Sequence, residues 1–251
     1  MIRSGGNRFL ILDPKPMASV RIVCFPVAGS GGTVFSQWSK LASQNTEIIA
    51  YSPPGRDLRS SEPPTATWDD LVEDAVNAVS SLPFRSIALY GHSMGGLLSA
   101  HVADQLRKKQ ETTVKAIGIG GFPGPLNHQF PIDFVDRIAN REGEELLAII
   151  EETFGHLPES MANDDIRALT SEHLTVDLQL LPVTIPGRFN AGAPIVAAYG
   201  DADPFVSDVQ CAQWSSATSH GTECVSYSGG HYDLISAGQA IIPRLERYCL
   251  P

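Results

Sequence analysis

The chain has little basic charge for its length. Its 251 residues include 18 lysines and arginines against 28 acidic residues, so the formal net charge is -10. Nucleic-acid backbones and anionic lipid surfaces attract basic proteins, so we expect neither a nucleic acid nor a membrane as partner. An acidic partner would have to dock on a local basic patch.

Long apolar runs and cysteine clusters are also missing. No stretch approaches the roughly 18 consecutive apolar residues that cross a membrane, and residues 1–6 lack the apolar segment of a secretory signal. The four cysteines form no C-x-x-C pair, and Cys24 and Cys224 lie in apolar strand-like runs where we expect buried, inert thiols. These absences predict a reduced, cytoplasmic protein.

The most informative segment present is Gly91-His92-Ser93-Met94-Gly95, which reads G-x-S-x-G. It lies between an apolar run and a helical run, and strand, tight turn and helix in that order form the nucleophile elbow of α/β-hydrolases. The turn requires glycines because side chains beside the serine would collide with backbone. Such an elbow exposes the Ser93 hydroxyl and points the Met94 N–H toward the same space, where it can stabilise an oxyanion.

Apolar strands and amphipathic helices alternate along the chain, which favours an α/β fold with a mostly parallel sheet flanked by helices. We treat residues 1–251 as one domain. The predicted strands are 20–25, 47–51, 87–90, 114–120, 194–199 and 222–227. The predicted helices are 35–42, 68–80 with Thr67 as N-cap, 94–108, 206–214 and 235–248.

The stretch 121–190 is too long for a simple crossover and has no strand pattern. We interpret it as a helical lid insertion over the carboxyl ends of the strands, although helices that merely extend the core are the alternative. Its predicted helices are 132–140, 144–154 and 165–181. In the last of these, one face carries Ile166, Leu169, His173, Val176 and Leu180.

A serine nucleophile needs a base, and the base needs an orienting carboxylate. Asp201 and Asp203 both follow a predicted strand, and either could simply form a turn. We favour Asp203, in part because the following proline restricts its backbone. His231 follows the last predicted strand after two glycines and is the best candidate base. His92 lies inside the elbow and is expected to point elsewhere, and the other histidines lie in the following helix, in the lid or in a connecting turn.

A glycine-rich loop at 25–32 follows the first predicted strand, and we assign the Ala28 amide as the oxyanion-binding partner of the Met94 amide. A phosphate cradle is the competing interpretation. Val34 occupies the third glycine position of G-x-G-x-x-G, and no Gly-Lys pair follows. Metal-ligand spacings are missing too, so we expect no cofactor and no metal.

Several segments together resemble the type II thioesterases, the free-standing editing enzymes of polyketide and nonribosomal peptide assembly lines. They extend over nearly the whole chain. The matching segments are Phe25-Pro26-Val27-Ala28-Gly29, Pro54-Gly55-Arg56 with Arg59 and Glu62-Pro63, Gly91-His92-Ser93-Met94-Gly95-Gly96, Phe154-Gly155, Asp203-Pro204 and Gly229-Gly230-His231.

This resemblance implies an α/β-hydrolase fold with a Ser93, Asp203 and His231 triad and with oxyanion amides from Ala28 and Met94. It also implies a helical lid that shapes an acyl pocket, and acyl or peptidyl carrier proteins as partners. The chain departs from the family at two positions, and neither departure removes a catalytic group. Val27 stands where histidine or an aromatic residue is frequent, and Tyr232-Asp233 stands where bulky apolar residues are frequent.

The expected reaction is therefore hydrolysis of acyl thioesters by a monomeric enzyme. Thiols, with a pKa near 8.5, leave more readily than alkoxides or amines, so modest oxyanion stabilisation suffices. A carboxylesterase, an acyltransferase and a noncatalytic binding protein are the alternatives on this fold. We also expect Arg56 and Arg59 to contact an acidic carrier protein, unless they merely lie in a solvated loop.

Overall fold

The structure is a computed structural model that describes residues 3–4, 8–83, 85–110, 113–125, 132–138, 140–155, 163–181 and 190–250. Within these residues, eight strands form one sheet in the order β1-β2-β4-β3-β5-β6-β7-β8. The six strands from β3 to β8 pair in parallel, and β1 and β2 add an antiparallel edge. The strands are β1 Arg3–Ser4, β2 Phe9–Ile11, β3 Val20–Phe25, β4 Thr46–Tyr51, β5 Ser86–His92, β6 Val114–Gly120, β7 Ile195–Gly200 and β8 Thr222–Tyr227.

Helices connect the parallel strands, as the alternating pattern predicts. The α-helices are α1 Trp38–Leu41, α2 Trp68–Ser80, α3 Met94–Lys109, α4 Ile132–Ile138, α5 Gly143–Phe154, α6 Asp164–Leu180, α7 Asp208–Ala212 and α8 Leu234–Cys249. Thr67 caps α2 as predicted, since its hydroxyl oxygen accepts the Asp70 N–H at 3.1 Å and the Asp70 carboxylate accepts the Thr67 N–H in return.

Alternate residues of the strands supply two apolar layers, one on each face of the sheet. In β3, Val20, Ile22 and Cys24 pack in the layer that contains α8, whereas Val23 and Phe25 pack in the layer that contains α2 and α3. Every residue of β3 and β4 is buried. Parallel strands covered on both faces need such continuous apolar runs, which is why the sequence reveals them well.

The structure differs from the sequence prediction at the short elements. The prediction omits β1 and β2, which are too short to give an alternation signal. The predicted helices 35–42 and 206–214 are each divided between a 3₁₀ turn and a short α-helix, with 3₁₀ turns at Gly32–Phe35 and Gln213–Ala217. Cys24 is buried as predicted, but Cys224 is exposed because β8 is an edge strand.

Between β6 and β7 the structure has α4, α5 and α6, close to the three predicted helices. Residues 126–131, 139, 156–162 and 182–189, with the lid histidines His128 and His156, lie outside the described residues. The predicted apolar stripe of α6 packs only in part, since Ile166 and Leu169 are 45% and 52% exposed, whereas Leu180 packs against the core. The buried residues of α6 are Ser171, Leu174 and Asp177.

Candidate active site

The carboxyl ends of the central strands converge at one edge of the sheet. Because β3, β5, β6, β7 and β8 are parallel neighbours, the loops that follow them meet there. Backbone hydrogen bonds connect each loop to the end of the neighbouring strand. The Ser93 N–H donates to the Gly120 carbonyl of β6 at 2.8 Å, and the Asp201 N–H donates to the Tyr227 carbonyl of β8 at 2.9 Å. This edge therefore brings together residues that are far apart in sequence.

The turn around Ser93 has the geometry of a strained elbow. Ser93 has φ 53° and ψ -123°, a backbone conformation that costs about 1–3 kcal/mol for a residue other than glycine. A Cβ on Gly91 would overlap the carbonyl oxygen of Gly95, and one on Gly95 would overlap the carbonyl oxygen of Phe25. The predicted need for both glycines is confirmed. Ser93 stays half-buried at the edge of the site.

Ser93 is also the N-cap of α3, so Met94 occupies the first turn of that helix. The first N–H groups of a helix have no partner within it, and the helix dipole favours negative charge at this end. Ala28 lies half-buried in a turn that the Ser30 N–H closes onto the Val27 carbonyl at 3.2 Å. Backbone donors of both segments therefore lie at the same edge of the sheet.

His231 and Asp203 form a buried pair next to the elbow. The Nδ1 of His231 lies 2.8 Å from Oδ2 of Asp203, and their side chains are 4% and 0% exposed. Burial alone would raise the pKa of Asp203, but hydrogen bonds from His231 and from the Phe205 N–H hold that pKa below its ordinary value. With the proton on Nδ1, the lone pair of the neutral imidazole lies on Nε2, where a base is needed.

Asp201 has a different environment. Its Oδ1 accepts the Gly229 N–H at 3.0 Å, and the residue is exposed in the turn after β7. Of the two competing carboxylates, Asp203 is the one in contact with His231.

His92 is a site residue that sequence reasoning missed, because a histidine inside the elbow was expected to point elsewhere. It is fully buried, its Nε2 lies 2.7 Å from the His231 carbonyl, and its Nδ1 lies 2.9 Å from the Tyr90 hydroxyl. A carbonyl can only accept, so Nε2 carries the proton and Nδ1 accepts from Tyr90. Burial lowers the pKa of His92 to about 3, which keeps this imidazole neutral.

An aromatic cluster covers the imidazole from the side of the helical segment. Phe154, the last residue of α5, stacks on His231 with ring centroids 4.4 Å apart and planes tilted by 34°. Phe134 of α4 and Phe205 each pack edge-on to Phe154. These contacts leave the described helical segment directly against the site rather than on a distant part of the sheet.

A cleft of about 710 Å³ opens between the 27–37 segment, helices α5 and α6, and the 232–235 segment. Its walls are mainly apolar and include Leu147, Ile150 and Leu174, while the exposed Ile166 and Leu169 lie among its outer residues. The described cleft therefore offers apolar surface next to the Ala28 turn.

Arg56 and Arg59 are not the surface residues that the sequence suggested. They are 3% and 4% exposed. Arg56 pairs with Asp177 of α6 at 3.1 Å, whereas Arg59 pairs with Asp74 of α2 and with Glu62, both at 2.6 Å. Both the proposed contact with a carrier protein and the solvated-loop alternative are wrong, because these guanidinium groups are already enclosed and neutralised.

The described helices include none that is long and apolar enough to cross a membrane. In the described part of the chain, no group of three or more His, Cys, Asp or Glu side chains is arranged to hold a metal ion.

Comparison with known proteins gives consistent matches over most of the chain. Residues 20–249 match the family described as "Thioesterase domain". The gramicidin S biosynthesis protein GrsT of Aneurinibacillus migulanus is 24% identical over 93% of this chain and 90% of its own length. Thioesterase PikA5 of Streptomyces venezuelae is 28% identical over 88% of this chain and 78% of its own length.

The fold matches those of solved structures. The type II thioesterase BorB from the borrelidin biosynthetic cluster superposes with a TM-score of 0.83, covering 98% of this chain and 99% of BorB at 22% identity. At that identity the likeness establishes the fold, which is that of an α/β-hydrolase, as predicted.

Proposed function

The chain belongs to the thioesterase domain family, and on that basis we propose that it hydrolyses acyl thioesters held on the phosphopantetheine arm of acyl or peptidyl carrier proteins. Ser93 is the nucleophile, His231 the general base and Asp203 the carboxylate that orients the imidazole. The 2.8 Å contact between His231 and Asp203, at the sheet edge that also holds the strained Ser93 turn, is the observation that carries the proposal.

In the first half-reaction, the Ser93 hydroxyl oxygen attacks the thioester carbonyl carbon while Nε2 of His231 takes the hydroxyl proton. The carbonyl oxygen becomes an oxyanion, which accepts hydrogen bonds from the Ala28 and Met94 amides. When the intermediate collapses, the C–S bond breaks and the thiol leaves with the proton from His231, which produces the acyl-serine ester.

In the second half-reaction, water attacks the acyl-serine carbonyl and His231 takes its proton. Collapse releases the carboxylic acid and returns the proton to Ser93. Asp203 stays ionised throughout, because its hydrogen bond stabilises the imidazolium that forms in each step. A thiol leaving group lowers the demand on the first half-reaction compared with an amide, whereas the second half-reaction hydrolyses the same serine ester for either substrate.

The helical segment 121–190 serves as a lid in this proposal, and the apolar cleft receives the acyl chain. The support comes from two contacts, since Phe154 of α5 packs on His231 and α6 forms one wall of the cleft. Val27, which is buried, and Tyr232 both line the cleft and would influence acyl preference.

The biological role proposed is editing or release during polyketide or nonribosomal peptide synthesis. GrsT is a gramicidin S biosynthesis protein, and BorB is a type II thioesterase of a biosynthetic cluster, which supports the same assignment for this chain. We further propose that the enzyme acts as a monomer in the cytoplasm, in keeping with its four free cysteines.

The test uses the purified chain and one acyl group in three forms: on a carrier protein, as an N-acetylcysteamine thioester, and as a simple ethyl ester. A fluorophosphonate should label the wild type but not Ser93→Ala. The matched control is Ser99→Ala, because Ser99 lies buried in α3 and bonds only the Gly96 carbonyl among the described residues. The control should label normally.

We expect hydrolysis to be fastest on the carrier protein and slowest on the ester. Faster ester cleavage, with no gain from the carrier, would make the chain a carboxylesterase. Labelling that survives Ser93→Ala would refute the assigned nucleophile.

A further inference from the structure

A buried hydrogen-bond network joins helix α6 to the turn that contains Ala28. The Gly29 N–H donates to Oδ2 of Asp177 at 2.7 Å, across 148 residues of sequence. Gly29 directly follows Ala28, so this bond fixes one side of the peptide unit next to the proposed oxyanion donor. The position of the Ala28 amide is therefore tied to a helix that lies outside the sheet.

The backbone of this turn leaves α6 little freedom to shift. Gly29 has φ +78° within the turn that the Ser30 N–H closes onto Val27, as expected for the third position of a type II turn. A Cβ at Gly29 would lie 3.0 Å from Cβ of Leu174 and 3.3 Å from the Thr170 carbonyl oxygen. The helix thus packs directly on the turn, and movement of one requires movement of the other.

Arg56 completes the network from a third segment. Its Nη2 donates to Oδ1 of Asp177 and to the His173 carbonyl, both at 3.1 Å. Asp177 is only 6% exposed, so its charge requires a partner, and Arg56 with the Gly29 N–H supplies one for each carboxylate oxygen. These bonds account for the inward position of Asp177 on α6.

From these contacts we infer that Asp177 is a positioning residue for the oxyanion hole, holding the Ala28–Gly29 turn against α6 with Arg56 as its counter-charge. The inference rests on the proposed function, in which the Ala28 amide binds the oxyanion. It adds that catalytic competence depends on the docking of α6. A loosened turn would weaken binding of the tetrahedral intermediate more than binding of the substrate.

The chain offers a matched control for this inference. Asp74 is also a mostly buried carboxylate paired with an arginine of the 54–62 segment, namely Arg59 at 2.6 Å, and it also accepts the Tyr51 hydroxyl. None of the described hydrogen bonds of Asp74 reaches the Ala28 turn. Asp74→Asn and Asp177→Asn therefore make the same chemical change in two comparable ion pairs. Of the two pairs, only the Arg56–Asp177 pair lies next to the turn that contains Ala28.

The experiment measures kcat and KM on an acyl N-acetylcysteamine thioester, inhibition by a trifluoromethyl ketone with the same acyl chain, and the thermal midpoint. The ketone forms a hemiketal oxyanion with the nucleophile, so its affinity reports on the oxyanion hole. Losing one oxyanion donor costs about 10²–10³ in kcat, and displacing one should cost about 10–100-fold in Asp177→Asn. We expect KM to change by less than about threefold, and ketone inhibition to weaken by the same factor as kcat/KM.

Asp74→Asn should lower the thermal midpoint with kcat within about twofold of the wild type. If Asp177→Asn does not fold, the Arg56→Gln/Asp177→Asn double variant, which leaves no unpaired charge, takes its place with the same expected losses. A folded variant with wild-type kcat, a rise in KM alone, or an equal loss of kcat in Asp74→Asn would each overturn the inference. A wild type that hydrolyses no thioester would instead refute the proposed function, before any variant is compared.

Discussion

Two hydrogen-bond networks flank the proposed nucleophile, and they are built differently. The imidazole network consists of Tyr90, His92, His231 and Asp203, all on strands of the sheet or on the loops that directly follow them. The loop network consists of Gly29, Arg56 and Asp177, and its carboxylate comes from α6, which lies outside the sheet.

The difference lies in what each network depends on. The orientation of the base is fixed by the core, because backbone ladders of β5, β7 and β8 hold all four residues or their loops in register. The turn that contains Ala28 is held by the buried Arg56–Asp177 ion pair, which exists only while α6 is docked. Substitutions outside the imidazole network should therefore impair base orientation only when they unfold the chain, whereas substitutions outside the oxyanion hole could weaken oxyanion binding while the fold persists.

The largest expected effect concerns the carboxylate of the imidazole network. Asp203→Asn should lower kcat by about 10⁴-fold, the loss that this change causes in the serine protease triad, because the amide favours the wrong imidazole tautomer. Asp201→Asn is the matched control and should retain nearly full activity, since the Asp201 side chain bonds only the Gly229 N–H among the described residues. Steady-state hydrolysis of the N-acetylcysteamine thioester measures both, and a greater loss in the control would assign the carboxylate to Asp201.

The second prediction tests whether the two networks act independently. In the Asp203→Asn background, Asp177→Asn should lower the residual kcat by the same factor as in the wild type, about 10–100-fold. The oxyanion hole still contributes when the base is impaired, so the two losses should multiply. A much smaller second loss would mean that the two networks work as one unit, which would contradict their independence.

The third prediction concerns His92. His92→Phe leaves the buried Tyr90 hydroxyl and the His231 carbonyl without partners, and each should cost about 1–3 kcal/mol in the free energy of unfolding. We expect kcat to fall by about 10-fold as the His231 backbone loosens, since small displacements of catalytic groups are costly. Tyr90→Phe keeps the hydrogen bond between His92 and the His231 carbonyl, so the kcat of this variant should stay within about twofold of the wild type. Urea denaturation and thioester turnover separate the two variants, and equal loss of kcat in both would argue against this role for His92.

The smallest expected effect is a difference in pH dependence. Burial lowers the pKa of His92 to about 3, so the unfolded chain binds a proton there that the folded chain does not, and stability falls as pH drops from about 6.5 toward 3. Burial raises the pKa of Asp177, and Arg56 and the Gly29 N–H oppose this only in part. The folded chain therefore binds a proton at Asp177 more readily than the unfolded chain does. Protonation of Asp177 thus adds to the free energy of unfolding at low pH, and this gain is lost as pH rises from the unfolded pKa through the folded pKa.

The two networks should therefore respond to acid with opposite sign. Between pH 6 and 4, His92→Gln should flatten the decline of the unfolding free energy by up to about 1.4 kcal/mol per pH unit, whereas Asp177→Asn should steepen it slightly. Urea denaturation at several pH values measures both slopes. Unchanged slopes in both variants would show that folding shifts the pKa of neither His92 nor Asp177.

The regular part of the fold could be predicted because its signals are local. Continuous apolar runs revealed β3 to β8, and the Thr67 cap gave the start of α2 to the residue. Predictions failed where the deciding interaction was distant in sequence. Nothing near residue 177 indicates that a carboxylate in an amphipathic helix faces inward, because its partners Gly29 and Arg56 are more than 100 residues away.

By itself, the sequence determined the order of strands and helices, the strained glycine-flanked serine turn, and the set of residues that could react. Those features follow from backbone sterics and from apolar periodicity within a few neighbouring residues. Only the tertiary structure decided which carboxylate meets His231, that His92 bonds the His231 carbonyl, and that Arg56 and Arg59 are enclosed rather than exposed. A buried polar group is stable only opposite a partner, and the fold alone determines which partners meet.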